Sequence, residues 1–333
     1  NFVKDRPGAV KPKKIDWWGI IFLIGAVGSL QYVLEEGTSE DWFESHEIVF
    51  FTIVSVACLV AFIYRELTID YPAVNIRLYK NYNMVMGSIM NFMLGLMLFG
   101  TVFIFPLFVQ ISLGWTATQT GMFMIPGALC SAFAMPLVGK MLGSGVNPKS
   151  IIISGVSMTF IFLMMLAFSS PDSAESDFYL PFVLRGIGMA FMMSPILTLA
   201  VSGIDGKDVP QAIGLSNMIR QLGGSFGIAL INLFLTNSNG VVRGDMVAHI
   251  NQYRDVVSDR IQVLIQTFQS KGYSFIEAQQ MANQTLDNLL TRQQMIVSYN
   301  QGFFIVGCVI LICIPVVFLI RHKKGAKVVS DGH

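Results

Sequence analysis

Two arginines stand inside long apolar stretches of this 333-residue chain, where a charged side chain is costly. Arg220 lies about ten residues into the apolar run that begins near Gln211, roughly 15 Å from that end at the helical rise. An arginine at the centre of a bilayer costs about 2.5–3.5 kcal/mol on insertion scales, so its side chain must face protein or water. We therefore expect Arg220 either to line a wet path or to bind carbonyl groups of neighbouring helices.

The residues around Arg220 are polar or small. Asn217, Arg220, Gly224 and Gly227 follow the spacing of one helix face. Small residues let helices approach closely, so this face suits a helix that lines a cavity and packs tightly beside it. Further candidates to line the path are Asn217, Gln221, Asn91, Gln110 and Asn300. For each of these taken alone, a hydrogen bond between helices is the alternative.

Arg185 lies about seven residues from the end of another apolar run, at roughly 10 Å, and its long side chain can reach toward the surface. Glycines follow it at two nearby positions, Gly186 and Gly188. We expect a structural or gating role for these three residues and for the glycines of the other segment, Gly223, Gly224 and Gly227.

A hydrolase pattern also occurs, because residues 223–227 match G-x-S-x-G around Ser225. A nucleophile elbow needs a strand-to-helix turn and a histidine base, whereas this segment lies in an apolar helix and all four histidines fall in loops or tails. The four cysteines lie in apolar runs without metal-ligand spacing. We predict no enzyme, no cofactor and no metal site, and close helix packing explains the glycines.

The amino-acid composition indicates that the elements carrying these residues are membrane-spanning helices. Hydrophobic residues make up 53% of the chain and charged residues 13%, where a soluble protein carries roughly 25% charged residues. A net charge of +1 gives no basic field for nucleic acid. Runs of about 20 apolar residues span a bilayer. Eight such runs are present: Ile15–Leu34, Ile48–Tyr64, Met84–Ile111, Thr118–Leu142, Ser150–Phe168, Phe178–Ser202, Gln211–Leu235 and Ile296–Ile320. The sequence predicts an all-α membrane protein with eight transmembrane helices.

Lysine and arginine are concentrated in alternate connections between the predicted spans, which places them on one side of the membrane. The N-terminal stretch, alternate loops and the C-terminal tail are basic, whereas the short loops 35–47, 112–117 and 169–177 contain neither residue. Short basic loops stay in the cytoplasm, so both ends of this chain are predicted to be cytoplasmic. The polar stretch 236–295 then lies outside, and its apolar spacing predicts amphipathic helices near 245–269 and 274–292. Ser274 and Glu277 form a capping-box pattern at the second.

Several segments together resemble one family. They are Arg185–Ala190, Asn217–Ala229, Asp16–Gly19, Gln31–Gly37, Pro72–Leu78, Arg292–Gln294 and Tyr299–Phe303. These segments resemble the 14-span EmrB/QacA-type drug:proton antiporters of the major facilitator superfamily, and they run over nearly the whole chain. The loop 139–149 departs from the superfamily's short loop motif, because it lacks the acid and the paired arginines. This argues against a gating role for that loop.

The resemblance implies a division of the chain. Residues 1–14 are then a cytoplasmic linker, 15–70 the family's two extra helices, 71–322 the C-terminal six-helix half and 323–333 a cytoplasmic tail. The N-terminal six-helix half of the family lies outside this sequence. Carboxylates are lacking in the middle of every predicted span, so the proton-coupling carboxylate is expected in that other half.

Resemblance also implies the function: a secondary active transporter in a bacterial inner membrane that exports drugs or other lipophilic compounds by proton antiport. Its expected partners are small lipophilic substrates, protons, the bilayer and a periplasmic adaptor protein that docks on residues 236–295. A carrier for one metabolite or lipid is an alternative with the same fold. A membrane scaffold or intramembrane enzyme is a more distant one.

Overall fold

The computed structural model describes residues 16–69, 74–170, 173–206, 208–249 and 255–320. The predicted linker 1–14 and tail 323–333 lie outside these ranges. Among the described residues the chain forms ten α-helices and no strand. Their bounds are α1 Trp17–Glu36, α2 His46–Thr68, α3 Tyr82–Leu107, α4 Ala117–Gly143, α5 Pro148–Ala167, α6 Ser176–Ala200, α7 Val209–His249, α8 Asp255–Ser270, α9 Phe275–Leu311 and α10 Cys313–Leu319.

Eight membrane-length segments are present among the described residues, which confirms the predicted fold class. The last segment joins α9 and α10 across Ile312, where the helix breaks because Pro315 cannot donate to the carbonyl four residues earlier. A π-helical turn, Phe108–Ser112, extends α3. Side chains set the helix starts: Asp16 caps α1, and Ser274 with Glu277 forms the predicted capping box of α9.

The helix ends define two sides of the bundle. On the basic side, at which α1, α3, α5 and α7 begin, the Lys149 Nζ donates to the carbonyl of Phe318 over 3.2 Å. On the acidic side, at which α2, α4 and α6 begin, the Arg292 Nε donates to the carbonyl of Ser112 over 2.6 Å. These contacts place the start of α5 beside the end of α10, and the end of α3 beside the first half of α9, so these pairs of spans run antiparallel.

Helices α3 and α7 pack through glycine. A Cβ atom added to Gly223 or Gly227 would overlap the backbone of Phe92 or Leu96 on α3, and one added to Gly95 would overlap the carbonyl of Arg220. Lipid offers no hydrophobic drive for helix association, so close backbone approach of this kind is a main source of packing energy. The predicted close packing around residues 223–227 is therefore present, and its partner is α3.

Helices α1 and α2 form a hairpin that is tied at three levels. The Arg65 Nε lies 2.8 Å from the Asp16 carboxylate on the basic side, and that carboxylate side chain is only 1% exposed. In the middle, the Ser55 hydroxyl donates to the carbonyl of Ala26 over 2.9 Å. On the acidic side, the Tyr32 hydroxyl donates to Glu47 over 2.9 Å. The hairpin joins the bundle where α1 packs on α7.

The outward face of α2 is apolar along the membrane-spanning part. The exposed residues on this face are Phe50, Ile53, Val56, Ala57, Leu59, Val60, Ile63 and Tyr64. Apolar side chains are as soluble in lipid tails as in a protein core, so this face is suited to direct lipid contact.

The predicted pair of separate amphipathic helices was wrong in its boundaries. Helix α7 continues without a break from its span to His249, and α9 begins at Phe275 and continues into the last span. Only α8 is a separate helix, and it begins at Asp255 rather than near residue 245. The segment 236–249 contains no proline and its two glycines are isolated, so the helix of the span continues through it.

The projecting ends of α7 and α9 contact each other beyond the apolar part. The Arg243 guanidinium lies 2.7 Å from the Asp287 carboxylate. Nearer the bundle, the Ser238 hydroxyl donates to the side-chain oxygen of Gln301 over 2.9 Å. These polar contacts hold the projecting ends of the two helices together.

Candidate functional site

Arg220 lies near the middle of the membrane-spanning part of α7. It is eleven residues from Val209, or about 16 Å along the axis. Its backbone carbonyl is packed against Gly95 of α3, whereas its side chain is half-buried. Within the described part of the chain, the guanidinium has no hydrogen bond or ion pair. The alternative role, in which Arg220 binds carbonyls of neighbouring helices, therefore has no contact to support it among these residues.

The exposed face of α7 on the basic-side half of the span is polar or small. Its exposed residues are Pro210, Gln211, Gly214, Asn217 and Gln221. An amide side chain exposed to lipid at this depth would leave polar groups without partners. The face that carries Asn217, Arg220 and Gln221 is therefore suited to a water-filled path and not to lipid. The structure brings these three predicted residues together.

Arg185 lies at a similar depth on α6, nine residues or about 14 Å from Ser176. This is deeper than expected, because the helix begins before the predicted span. Its guanidinium carbon lies 5.5 Å from the ring centroid of Phe182, one turn closer to the acidic side. Phe182 is 1% exposed within the aromatic core. Arg185 thus packs on a buried ring, a favourable cation–π arrangement.

The two glycines after Arg185 face different neighbours. Gly186 is packed against the carbonyl of Gly127 on α4, so that an added Cβ would overlap it. A Cβ at Gly188 would lie 2.6 Å from the Thr159 hydroxyl and 3.0 Å from the carbonyl of Gly155 on α5. Helix α6 therefore uses this pair to hold α4 and α5 on two sides. The contacts support a packing role and leave any gating role as a proposal.

Asn91 lies at mid-span depth on α3 but is not on an open face. Its side chain is 2% exposed, and its amide donates to the carbonyl of Gly87 in the same helix over 3.0 Å. Gly87 in turn is packed against Ala200 of α6. Asn91 therefore contributes to helix packing in this structure and does not reach the face that carries Arg220.

Gln110 and Asn300 lie on the acidic side, away from the mid-span residues. Gln110 is exposed in the π-helical turn that ends α3. The Asn300 amide donates to the carbonyl of Ser169, just beyond α5, over 2.8 Å, while its side-chain oxygen is buried without a described partner. The predicted path candidates thus divide into a mid-span group on α7, a buried residue on α3 and two residues at the end of the bundle.

Sequence reasoning missed two contacts of the α1–α2 hairpin. The Ser225 hydroxyl, 2% exposed in α7, donates to the Glu35 carboxylate of α1 over 3.4 Å. The ion pair of Asp16 and Arg65 is the other. A short loop makes α1 and α2 antiparallel neighbours, so the opposite charges at their adjacent ends could have been paired from the sequence. The contact between Ser225 and Glu35 joins residues 190 positions apart and has no local signal.

Among the described residues, eight membrane-length helices form an all-α bundle with a polar face at mid-span, the architecture of a multi-pass membrane protein. The Major Facilitator Superfamily profile matches residues 17–228. The chain belongs to the Major Facilitator Superfamily.

Named relatives are similar over nearly the whole chain. The multidrug export protein EmrB of Haemophilus influenzae is 27% identical over 323 residues, and the fatty acid resistance protein FarB of Neisseria gonorrhoeae is 27% identical over 328 residues. EmrB of Escherichia coli K12 is 25% identical over 324 residues. In each case the match covers 97% of this chain and 62% of the relative. The chain therefore spans less than two thirds of the length of these relatives.

Proposed function

We propose that this chain is part of a secondary active transporter that exports drugs or other lipophilic compounds by alternating access, driven by proton antiport. One observation carries the proposal: α7 exposes Asn217, Gln221 and the half-buried Arg220 at mid-bilayer depth, where a lipid-facing helix such as α2 is apolar. Carriers of this kind bind substrate near the midplane, between halves that rock against each other. The names of EmrB and FarB as export and resistance proteins support the substrate class.

The proton-coupling carboxylate belongs, in this proposal, to the additional length of the relatives. In the described spans of this chain, carboxylates lie at helix ends or in the projecting parts of α7 and α9: Asp16, Glu35, Glu36, Glu47, Glu66, Asp177, Asp245, Glu277 and Asp287. A proton carrier has to titrate within the membrane, and none of these residues lies at mid-span depth.

The membrane orientation and the partner are also proposals. Basic short loops place the basic side in the cytoplasm of a bacterial inner membrane, with both ends of the chain on that side. The projecting ends of α7 and α9, together with α8, then lie outside and offer a docking surface for a periplasmic adaptor. Removing the parts of these helices beyond the Arg243–Asp287 ion pair, together with α8, should abolish adaptor binding and leave membrane insertion intact.

The test is dye efflux from cells that express the complete reading frame containing this chain. The panel contains cationic ethidium, an uncharged lipophilic dye and an anionic one, each measured with and without a protonophore. Efflux of any member that the protonophore abolishes supports the proposal. Normal membrane expression without efflux of any dye rejects drug export, and a carrier for one lipid or metabolite, which the name of the fatty acid resistance protein FarB favours, becomes the better explanation.

An enzymatic role is tested separately with Ser225→Ala. Ser225 is buried in a continuous helix, not in a strand-to-helix turn, and its hydroxyl contacts Glu35. We expect this variant to retain proton-dependent efflux, whereas loss of a hydrolytic activity in Ser225→Ala at normal expression would contradict the transporter proposal.

A further inference from the structure

We propose that Glu35 is an entry site for protons, where its carboxylate accepts a proton from water on the acidic side and becomes a neutral acid. The inference rests on the proposed proton antiport and deepens it. It starts from one contact: the Glu35 carboxylate of α1 lies 3.4 Å from the Ser225 hydroxyl of α7. Among the described residues, Glu35 has no other hydrogen bond and no ion pair.

This contact lies inside the membrane, close to the boundary on the acidic side. Ser225 is 2% exposed and lies sixteen residues, or about 24 Å, from the start of α7. Glu35 lies eighteen residues, or about 27 Å, from the start of α1. The hydrocarbon core is about 30 Å thick. The exposed Glu35 side chain therefore reaches the solution on the acidic side while its carboxylate contacts a buried hydroxyl.

The charged groups near Glu35 are mostly acidic. The helices that pack most extensively on α1 are α2 and α7. The sequence has no lysine or arginine from Trp17 to Tyr64, and the nearest one on α7 is Arg220, about 8 Å deeper than Ser225. The other titratable residues at this end of the hairpin are Tyr32, Glu36, Glu40, Asp41, Glu44, His46 and Glu47. An ionised carboxylate without a basic partner is costly in the membrane, so Glu35 is suited to bind a proton.

The seam between α1 and α7 continues inward with polar side chains. Both helices begin on the basic side and run parallel, so one turn back from the Glu35–Ser225 contact Gln31 and Gln221 lie at the same level. Each amide is four positions before the contact residue of its own helix and shares its face. Neither amide has a hydrogen bond to another described residue. Two amides at this depth are suited to hold water molecules that carry a proton inward.

The first experiment measures proton binding at Glu35 without any exported compound. The full-length protein in nanodiscs is treated with dicyclohexylcarbodiimide, which reacts with protonated carboxyl groups in apolar surroundings, and mass spectrometry locates the modified residues. We expect modification of Glu35 that increases as the pH falls, and none of Glu36. Glu36 is the matched control, because it is the next residue of the same helix and is also exposed. Protection of Glu35 by sodium chloride would assign the site to sodium ions and overturn the proton proposal.

The second experiment measures dye efflux from cells at several external pH values, since the proposed orientation places the acidic side outside. Glu35→Gln keeps an acceptor for the Ser225 hydroxyl and removes the proton site. We expect it to lower protonophore-sensitive efflux by about tenfold to a hundredfold, the low end of what a positioned proton-transfer group contributes, and to flatten the dependence on external pH. Glu36→Gln should keep the rate and the pH dependence of the wild type.

Two further results would overturn the inference: no modification of Glu35 at low pH, or unchanged efflux in Glu35→Gln. The modification of wild-type protein decides even if Glu35→Gln fails to fold. Modification of Glu35 that depends on pH, in a protein that exports no dye, would reject the export proposal alone. The failure of the proton site and the failure of the proposed function can therefore be told apart.

Discussion

Helices α2 and α7 distribute polar residues in opposite ways. Helix α2 buries the polar side chains of Ser55 and Glu66 and exposes only apolar residues over its membrane part. Helix α7 packs through Gly223 and Gly227 and exposes amides at the same depth. Both helices are apolar enough to span a membrane, so overall hydropathy does not separate them. The difference shows that the polarity of the exposed residues of a span, and not its overall hydropathy, indicates whether that face is suited to lipid or to water.

The comparison also separates two ways of joining helices in a membrane. The α1–α2 hairpin is joined by side-chain hydrogen bonds and one ion pair at three levels. Helices α3 and α7 are joined by backbone contact at glycine. Glycine contact leaves the polar side chains of α7 free to face a path, whereas the hairpin uses its polar side chains for its own assembly.

The largest expected effect comes from a charge on the outward face of α2. Val56 is 57% exposed and lies about 15 Å from the start of the helix, so Val56→Arg should lower the free energy of unfolding in bicelles by about 2.5–3.5 kcal/mol. The matched variant Gln221→Arg adds the same charge to the open face of α7. There, repulsion from Arg220 in a wet surrounding should cost about 1 kcal/mol or less. Equal losses would mean that both faces contact lipid.

A smaller effect is expected from a side chain that obstructs the contact between α3 and α7. Gly227→Leu places a side chain against the backbone of Leu96, and the resulting overpacking should cost about 1–3 kcal/mol. Gly214→Leu on the exposed face meets nothing within 4 Å and should stay within about 0.5 kcal/mol of wild type. The midpoint of thermal aggregation in detergent, followed by size-exclusion chromatography, measures both. A Gly214→Leu protein that is as unstable as Gly227→Leu would contradict this packing.

The smallest effect is expected within the hairpin. Ser55→Ala removes the hydrogen bond from α2 to the Ala26 carbonyl, and such bonds between membrane helices average about 0.6 kcal/mol. Thr52→Val is the control, because the Thr52 hydroxyl donates to the Ile48 carbonyl of its own helix and joins nothing. The free energy of unfolding in bicelles should be lower for Ser55→Ala than for Thr52→Val. The reverse order would show that the hairpin does not depend on this contact.

The spans and the tight packing of α7 could be predicted from the sequence because both are local. Apolar runs set the number of helices, and the spacing of Gly224 and Gly227 around Arg220 indicated one small-residue face. The capping box at Ser274 was likewise correct, since it depends on four neighbouring residues. These features need no knowledge of which helices become neighbours.

The functional candidates were harder to predict, because polar residues in apolar runs look alike until the neighbours are known. Asn91 and Gln221 are both amides near mid-span, but Asn91 is buried and donates to Gly87 of its own helix, whereas Gln221 is exposed. Asn300 bonds to a residue 131 positions away. The continuous helices α7 and α9 were missed for another reason: a change from apolar to polar composition marks the membrane boundary and not the end of a helix.

The length of α7 has a mechanical consequence. Its 41 residues form a rod of about 62 Å, roughly twice the hydrocarbon thickness of a bilayer. From Arg220 to the far end the rod measures about 43 Å, so a tilt of about 10° around mid-membrane displaces its tip by about 7 Å. Helix α7 is thus a lever arm: a small tilt in the membrane becomes a displacement of several ångströms at the Arg243–Asp287 ion pair and beyond it.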